Sequence, residues 1–157
     1  MTMFRVLLIA IAALCAPGVA FAAESVALSS AVFVERTTAD ADGRSKITLH
    51  EPKVVTPGDR LVFILNYQNR GVTPANNFVV TNPLPTAVAY QGTADDMAEV
   101  SINGGKAWGQ LSALKVADGP GRWRSARPED VTHVRWTMKQ SIPAGAQGKL
   151  SFRGIVR

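Results

Sequence analysis

The sequence predicts an all-β fold: an antiparallel β-sandwich of about seven to nine strands, preceded by a cleavable signal peptide. Three observations carry this. Apolar residues recur at every second position in one short segment after another, which puts each set on one face of a sheet. Clusters of Gly, Pro, Asn and Asp separate those segments. Helical periodicity is absent once the first 22 residues are set aside.

Those 22 residues read as an export leader. Residues 1–5 form a short n-region with one Arg, 6–15 an apolar h-region, and Pro17-Gly18 breaks it. Ala20-Phe21-Ala22 then fits the small-x-small cleavage rule. Residues 23–157 have the size of a single domain, able to bury roughly two-thirds of the unfolded chain's surface without staples. The one cysteine, Cys15, falls inside the leader, and Ala12-Ala13-Leu14 before it is a poor lipobox. The mature chain would have no thiol for a disulfide, a nucleophile or a metal. No later apolar run reaches the ~20 residues of a membrane span. An exported chain is expected, in the periplasm or at the cell surface, the single basic residue of the leader favouring a Gram-negative envelope.

Charge is uneven. The chain carries 17 Lys and Arg against 12 Asp and Glu, and residues 122–157 hold eight of the basic groups against Glu129 and Asp130 alone. Export makes nucleic acid an unsuitable partner; an anionic envelope polymer suits a basic face better.

In chain order, residues 31–36 form the first clear strand, with 26–28 leading into it. Asp40-Ala41-Asp42-Gly43 is a solvated turn, lacking the third ligand and distant Glu of a calcium loop. Residues 47–55 form a second strand. The centre of the chain is 57–85, read as two strands joined by a turn. Leu61, Phe63, Leu65 and Tyr67 alternate, as do Phe78 and Val80, and Asn69-Arg70-Gly71 with Thr73-Pro74 reverses the chain between them. Residues 88–91 add a short strand. Asn103-Gly104-Gly105 predicts a hairpin between 99–102 and 106–108, residues 110–117 pair next, and 118–121 is a loop continued by 122–128. Val134, Trp136 and Met138 alternate in the next strand. After a turn at Ile142-Pro143-Ala144-Gly145, Leu150, Phe152, Gly154 and Val156 alternate in the last. This pattern describes a sandwich of the immunoglobulin type, without the Cys…Trp…Cys signature of antibody domains.

Pro57-Gly58-Asp59, Asn69-Arg70-Gly71, Pro74-Ala75 and the run from Phe78 to Pro85 resemble the bacterial "conserved repeat" domain, also known as domain of unknown function eleven. Ser101-Ile102-Asn103-Gly104-Gly105 and Ile142-Pro143-Ala144-Gly145 fit as well, so the resemblance covers about residues 30–157. Asn82 stands where the family usually has an acid. The resemblance implies an immunoglobulin-like surface or envelope domain with no assigned activity. Such domains often occur in tandem, whereas this one follows its own leader. Ser101-x-Asn103-x-Gly105-x-Ala107-Trp108 also resembles the Asp-box of sialidases, itself a turn-stabilising element.

Catalysis has little support. His50 and His133 are the only histidines, and no Gly-x-Ser-x-Gly turn is present for a nucleophile. Asp95-Asp96 and Glu129-Asp130 sit in turn-like sequence that solvates loops or caps; only a pocket with two facing carboxyls would revive a hydrolase. The chain is read as no enzyme, with no cofactor and no metal.

Two surfaces remain. Val62, Ile64 and Val79 occupy outward positions of the central strands and, exposed together, would form an apolar patch for an envelope or surface protein or a second copy; cover by a loop or the N-terminal segment is the competing reading. Arg135 and Lys139, with Lys149, Arg153 and Arg157 on the next strand, would share one face if those strands pair. Arg122, Trp123, Arg124 and Arg127 add an Arg-rich loop suited to phosphate or carboxylate groups. That basic surface would bind an anionic polysaccharide, or else serve as a charged edge that deters aggregation. The first expectation is therefore a non-enzymatic envelope module that docks onto a protein partner or assembles through sheet edges, with strand exchange by residues 26–34 as a variant. The alternative is a binding module for anionic envelope glycans.

Overall fold

A computed structural model describes residues 25–95 and 97–157. The expected leader, with Cys15, and Asp96 lie outside the described residues.

Strand β1 runs from Val26 to Ala39, a single strand through Ser29-Ser30 where the sequence suggests a strand and a lead-in. It holds together because its long partner β3, Arg60–Asn69, pairs with it from Val26↔Asn69 to Glu35↔Arg60. Strand β2, Ser45–His50, pairs with β1 only from Val34 to Ala39. It stops short of the expected Val55 because Pro52 has no N–H for a ladder. The turn between them is closed by the Asp40 carboxylate, which accepts the Asp42 and Arg44 amides at 3.0 and 2.8 Å.

Pro57-Gly58-Asp59 starts β3 as anticipated. The Asp59 amide donates to the Thr56 carbonyl at 3.0 Å, and Gly58 takes φ 91°, a value that favours glycine. The Asp59 carboxylate accepts the Thr56 amide at 2.9 Å and the Arg36 guanidinium at 2.7 Å. These two interactions hold its pKa below the ordinary carboxylate value, the backbone bond more than the arginine.

The central stretch is not a hairpin. Strand β4, Val79–Pro83, leaves β3's sheet and pairs with β9, His133–Thr137, which pairs on its other side with β6, Ala98–Ser101. Strand β10, Gln147–Val156, likewise does not pair with β9; it lies between β3 and β5, Val88–Thr93. The result is a five-stranded sheet, β2-β1-β3-β10-β5, facing a three-stranded sheet, β4-β9-β6. Both β3→β4 and β9→β10 cross between sheets because each strand has one apolar face, and opposed apolar faces bury more surface than coplanar ones.

The two crossings fasten to each other. Ala75 and Ile142 exchange backbone bonds of 2.9 and 2.8 Å. The fully buried Asn69 side chain donates to the Thr73 and Ile142 carbonyls at 2.9 and 2.8 Å and accepts the Gly71 amide at 2.9 Å.

Leu61, Phe63, Leu65, Leu150 and Phe152 from one sheet meet Val80, Val100, Val134 and Trp136 from the other. Phe63 and Phe152 stack at 4.4 Å, Trp136 lies 6.1 Å from Phe152, and Tyr67 lies 6.3 Å from Phe78. The Trp136 indole N–H donates to the Asp95 carboxylate at 3.2 Å, which satisfies the one polar atom of a fully buried ring.

Asn103-Gly104-Gly105 departs from a two-residue hairpin. After β6 the chain makes a wide loop closed by side chains: the Ser101 hydroxyl accepts the Gly105 amide and the Asn103 carboxamide accepts the Ala107 amide, both at 2.9 Å. A single bridge, Val100 to Gly109, follows. Beyond it, β7, Lys115–Ala117, and β8, Trp123–Ser125, form a small ribbon around the anticipated 118–121 turn.

Candidate functional site

The anticipated basic face is divided by the fold. Because β9 and β10 stand in opposite sheets, Arg135 faces out from the three-stranded sheet while Lys149 and Arg153 face out from the five-stranded one. Most of the guanidinium groups already have partners. Arg124 binds Asp130 through two bonds of 2.6 and 2.8 Å. This fork, reinforced by the Arg127 amide, lowers the Asp130 pKa to about 2. Arg135 binds Glu99 at 2.6 Å and lies over the Trp108 ring at 4.3 Å. Arg153 binds Glu35 at 3.0 Å, Arg122 bonds the Asp118 carbonyl, and Arg157 bonds the Thr86 carbonyl. Trp123 stands exposed on the ribbon, away from β10 in the ladder. Lys139 lies beyond the end of β9.

Val62, Ile64 and Val79 are not brought together either. Val62 and Ile64 lie on the outer side of β3, Val79 on β4 in the other sheet. Val62 is only 5% exposed. It pairs with Phe33 on one side and Arg153 on the other, and Arg153 reaches across β3 to Glu35. That reach takes the arginine across the outer face of β3 beside the valine, the placement in which long cationic side chains commonly cover apolar surface.

The histidines are spent locally: His50 contacts the Thr48 hydroxyl and His133 the Thr132 hydroxyl. Glu129 and Asp130 complete a 3-10 turn, Pro128–Asp130, where Asp130 accepts the Arg127 amide at 2.7 Å.

The feature that the sequence only partly marked, as a segment for strand exchange over 26–34, is the open edge of β1. Residues 26–33 pair with β3 on one side; among the described residues nothing pairs with them on the other, since β2 begins its ladder only at Val34. This edge holds Val26, Ala27, Leu28, Ser29, Ser30, Ala31, Val32 and Phe33, without a charge, a proline or a glycine. Natural edge strands are usually blunted by such residues.

Two depressions flank it. A groove of about 570 Å³ runs between the start of β1 and β4, lined by Val26, Leu28, Phe78, Val79 and Val80 with polar neighbours and no charged residue. A shallow basin of about 630 Å³ lies against the five-stranded sheet, lined among others by Ser29, Asn66, Gln68, Arg70, Gln147 and Lys149. Leu28, nearly half exposed, borders both. The polar phase of β3 at Asn66 and Gln68, after the aliphatic Val62 and Ile64, is the sequence signal that marks the basin. No protein-family model matches the chain, and no curated protein or solved structure resembles it significantly.

Proposed function

We propose that the chain is an exported, non-enzymatic module of the bacterial envelope that engages another polypeptide through the open edge of β1. The observation that carries this is the uncharged strand 26–33, with one ladder face unoccupied among the described residues. Unpaired amides and carbonyls along an edge are a template for β-strand addition, in which main-chain bonds supply affinity. Relation to the bacterial conserved repeat domains, and an immunoglobulin-like fold, belong to the same reading. The turns at Pro57-Gly58-Asp59 and Asn69-Arg70-Gly71 support it, because Asp59 caps the first through the Thr56 amide and Asn69 closes the second through the Gly71 amide. The last strand, beside β3 and not beside β9, sets the domain apart from the constant-domain strand order.

Selection of displayed random peptides on the purified chain tests the edge. Binders resynthesised with alternate backbone amides methylated should lose affinity, and hydrogen exchange of 26–33 should slow in the complexes. Binders indifferent to methylation that protect other residues would overturn it.

A further inference from the structure

A strand laid along 26–33 would send its side chains alternately to the two sides of the sheet. On one side it meets the groove beside Val26 and Leu28; on the other it meets the basin beside Ala27 and Ser29. The chemistry of the two differs. The groove has an apolar floor, with Val80 fully buried and Val26 nearly so, and no charged group in its lining. The basin holds Arg70 and Lys149 and no acid. Neither cation has an ion-pair partner among the described residues, and the one side-chain bond of Arg70 is to the Gln68 carboxamide at 3.4 Å.

We propose that the occupant is an extended segment of a different protein, apolar at every second position and acidic at positions between. This rests on the reading of the β1 edge as the docking strand. Arg70 is placed to meet an acidic side chain first, because its amide bonds the Ser25 carbonyl at the start of β1. Lys149, on β10, lies two strands in from β1 and so three from the added strand, roughly 14 Å away. It contributes its field at low salt, where the Debye length reaches about 30 Å at 0.01 M.

Two other occupants fit less well. A second copy pairing β1 to β1 would bring no unpaired acid to the basin, since residues 26–33 contain none and Glu35, the next acid along, is already paired with Arg153 and Arg60. The apolar stretch 6–15 is equally without acid, and cleavage after Ala22 would leave only Ala23 and Glu24 ahead of Ser25. Two residues cannot fold back along the strand.

The experiment measures fluorescence anisotropy of labelled alternating peptides, Val-Glu and Val-Lys, against the purified chain at low salt. Each peptide is also made with alternate backbone amides methylated. The proposal expects Val-Glu to bind at least about tenfold more tightly than Val-Lys, a difference of ~1.4 kcal/mol. Arg70→Glu combined with Lys149→Glu, both changes at the surface, should reverse that order. Methylation should abolish binding. Equal binding of both peptides, lost on methylation, would overturn the acidic preference and leave the edge reading standing. Val-Glu binding that survives methylation would overturn the edge reading itself. Light scattering that shows a dimer displaced by neither peptide would identify a second copy as the occupant and overturn the proposal.

Discussion

The side-chain amide of Asn69 donates to the carbonyl of Ile142 at 2.8 Å, tying together the two places where the chain changes sheets. The same amide donates to Thr73, and the Asn69 carboxamide oxygen accepts the Gly71 amide. Crossing loops carry backbone groups into the interior, where an unpaired carbonyl or amide is costly. Asn69→Ala should destabilise the fold by about 2–3 kcal/mol, read from urea unfolding. Asn69→Asp should cost more, because a carboxylate oxygen would face two carbonyls. Wild-type stability of the Asp variant would remove the proposed role.

Gly148 pairs with Tyr67 in the ladder, and a Cβ at that glycine would meet the tyrosine ring. Overfilling such a contact typically costs about 1–3 kcal/mol, which Gly148→Ala should show as a lowered Tm. In a Tyr67→Leu background the same change should cost much less. Equal costs in both backgrounds would mean that the ring is not the obstacle.

Asp130, held at about 2 by Arg124 against an ordinary value of 3.8, stabilises the folded chain above the higher figure and loses that contribution as pH falls through the lower one. Asp130→Asn should therefore be less stable than wild type at neutral pH, by about 1–2 kcal/mol after allowing for solvent screening. The two proteins should converge near pH 2. Asp59, lowered in the same direction, titrates in both and does not alter the comparison. A gap that persists unchanged into acid would count against the ion pair.

Val62 is covered by the reach of Arg153 to Glu35, so Val62→Asp should act on stability and not on association. A carboxylate placed there is desolvated, and about 2–4 kcal/mol of destabilisation is expected. Arg153→Ala, at a half-exposed position but paired with the buried Glu35, should cost about 1–3 kcal/mol with no change in mass. Thermal melts and light scattering on the two variants separate these effects. A Val62→Asp chain of unchanged Tm but altered mass would return this position to an interface.

The phase of each strand was legible. Leu61, Phe63 and Leu65, then Leu150 and Phe152, face the core as their alternation requires, and Asp40–Gly43 and Thr56–Asp59 turn where their residues dictate. Strand partnership was not. Arg135 and Arg153 both point outward as expected, yet from opposite sheets, because period-2 patterning specifies a face without specifying a neighbour. The open edge was half visible: Pro52 limits β2, but only the β1–β2 and β1–β3 registers reveal that 26–33 outruns it.

Alternating side chains and turn residues by themselves determined an all-β chain and which residues face inward, because both are properties of a few consecutive residues. Tertiary structure decided which strands share a sheet, that Arg153 reaches across β3 to Glu35 beside a buried Val62, and that Arg70 and Lys149 line one basin. Those outcomes depend on contacts between residues distant in the chain, selected by the apolar area that opposed sheets bury together.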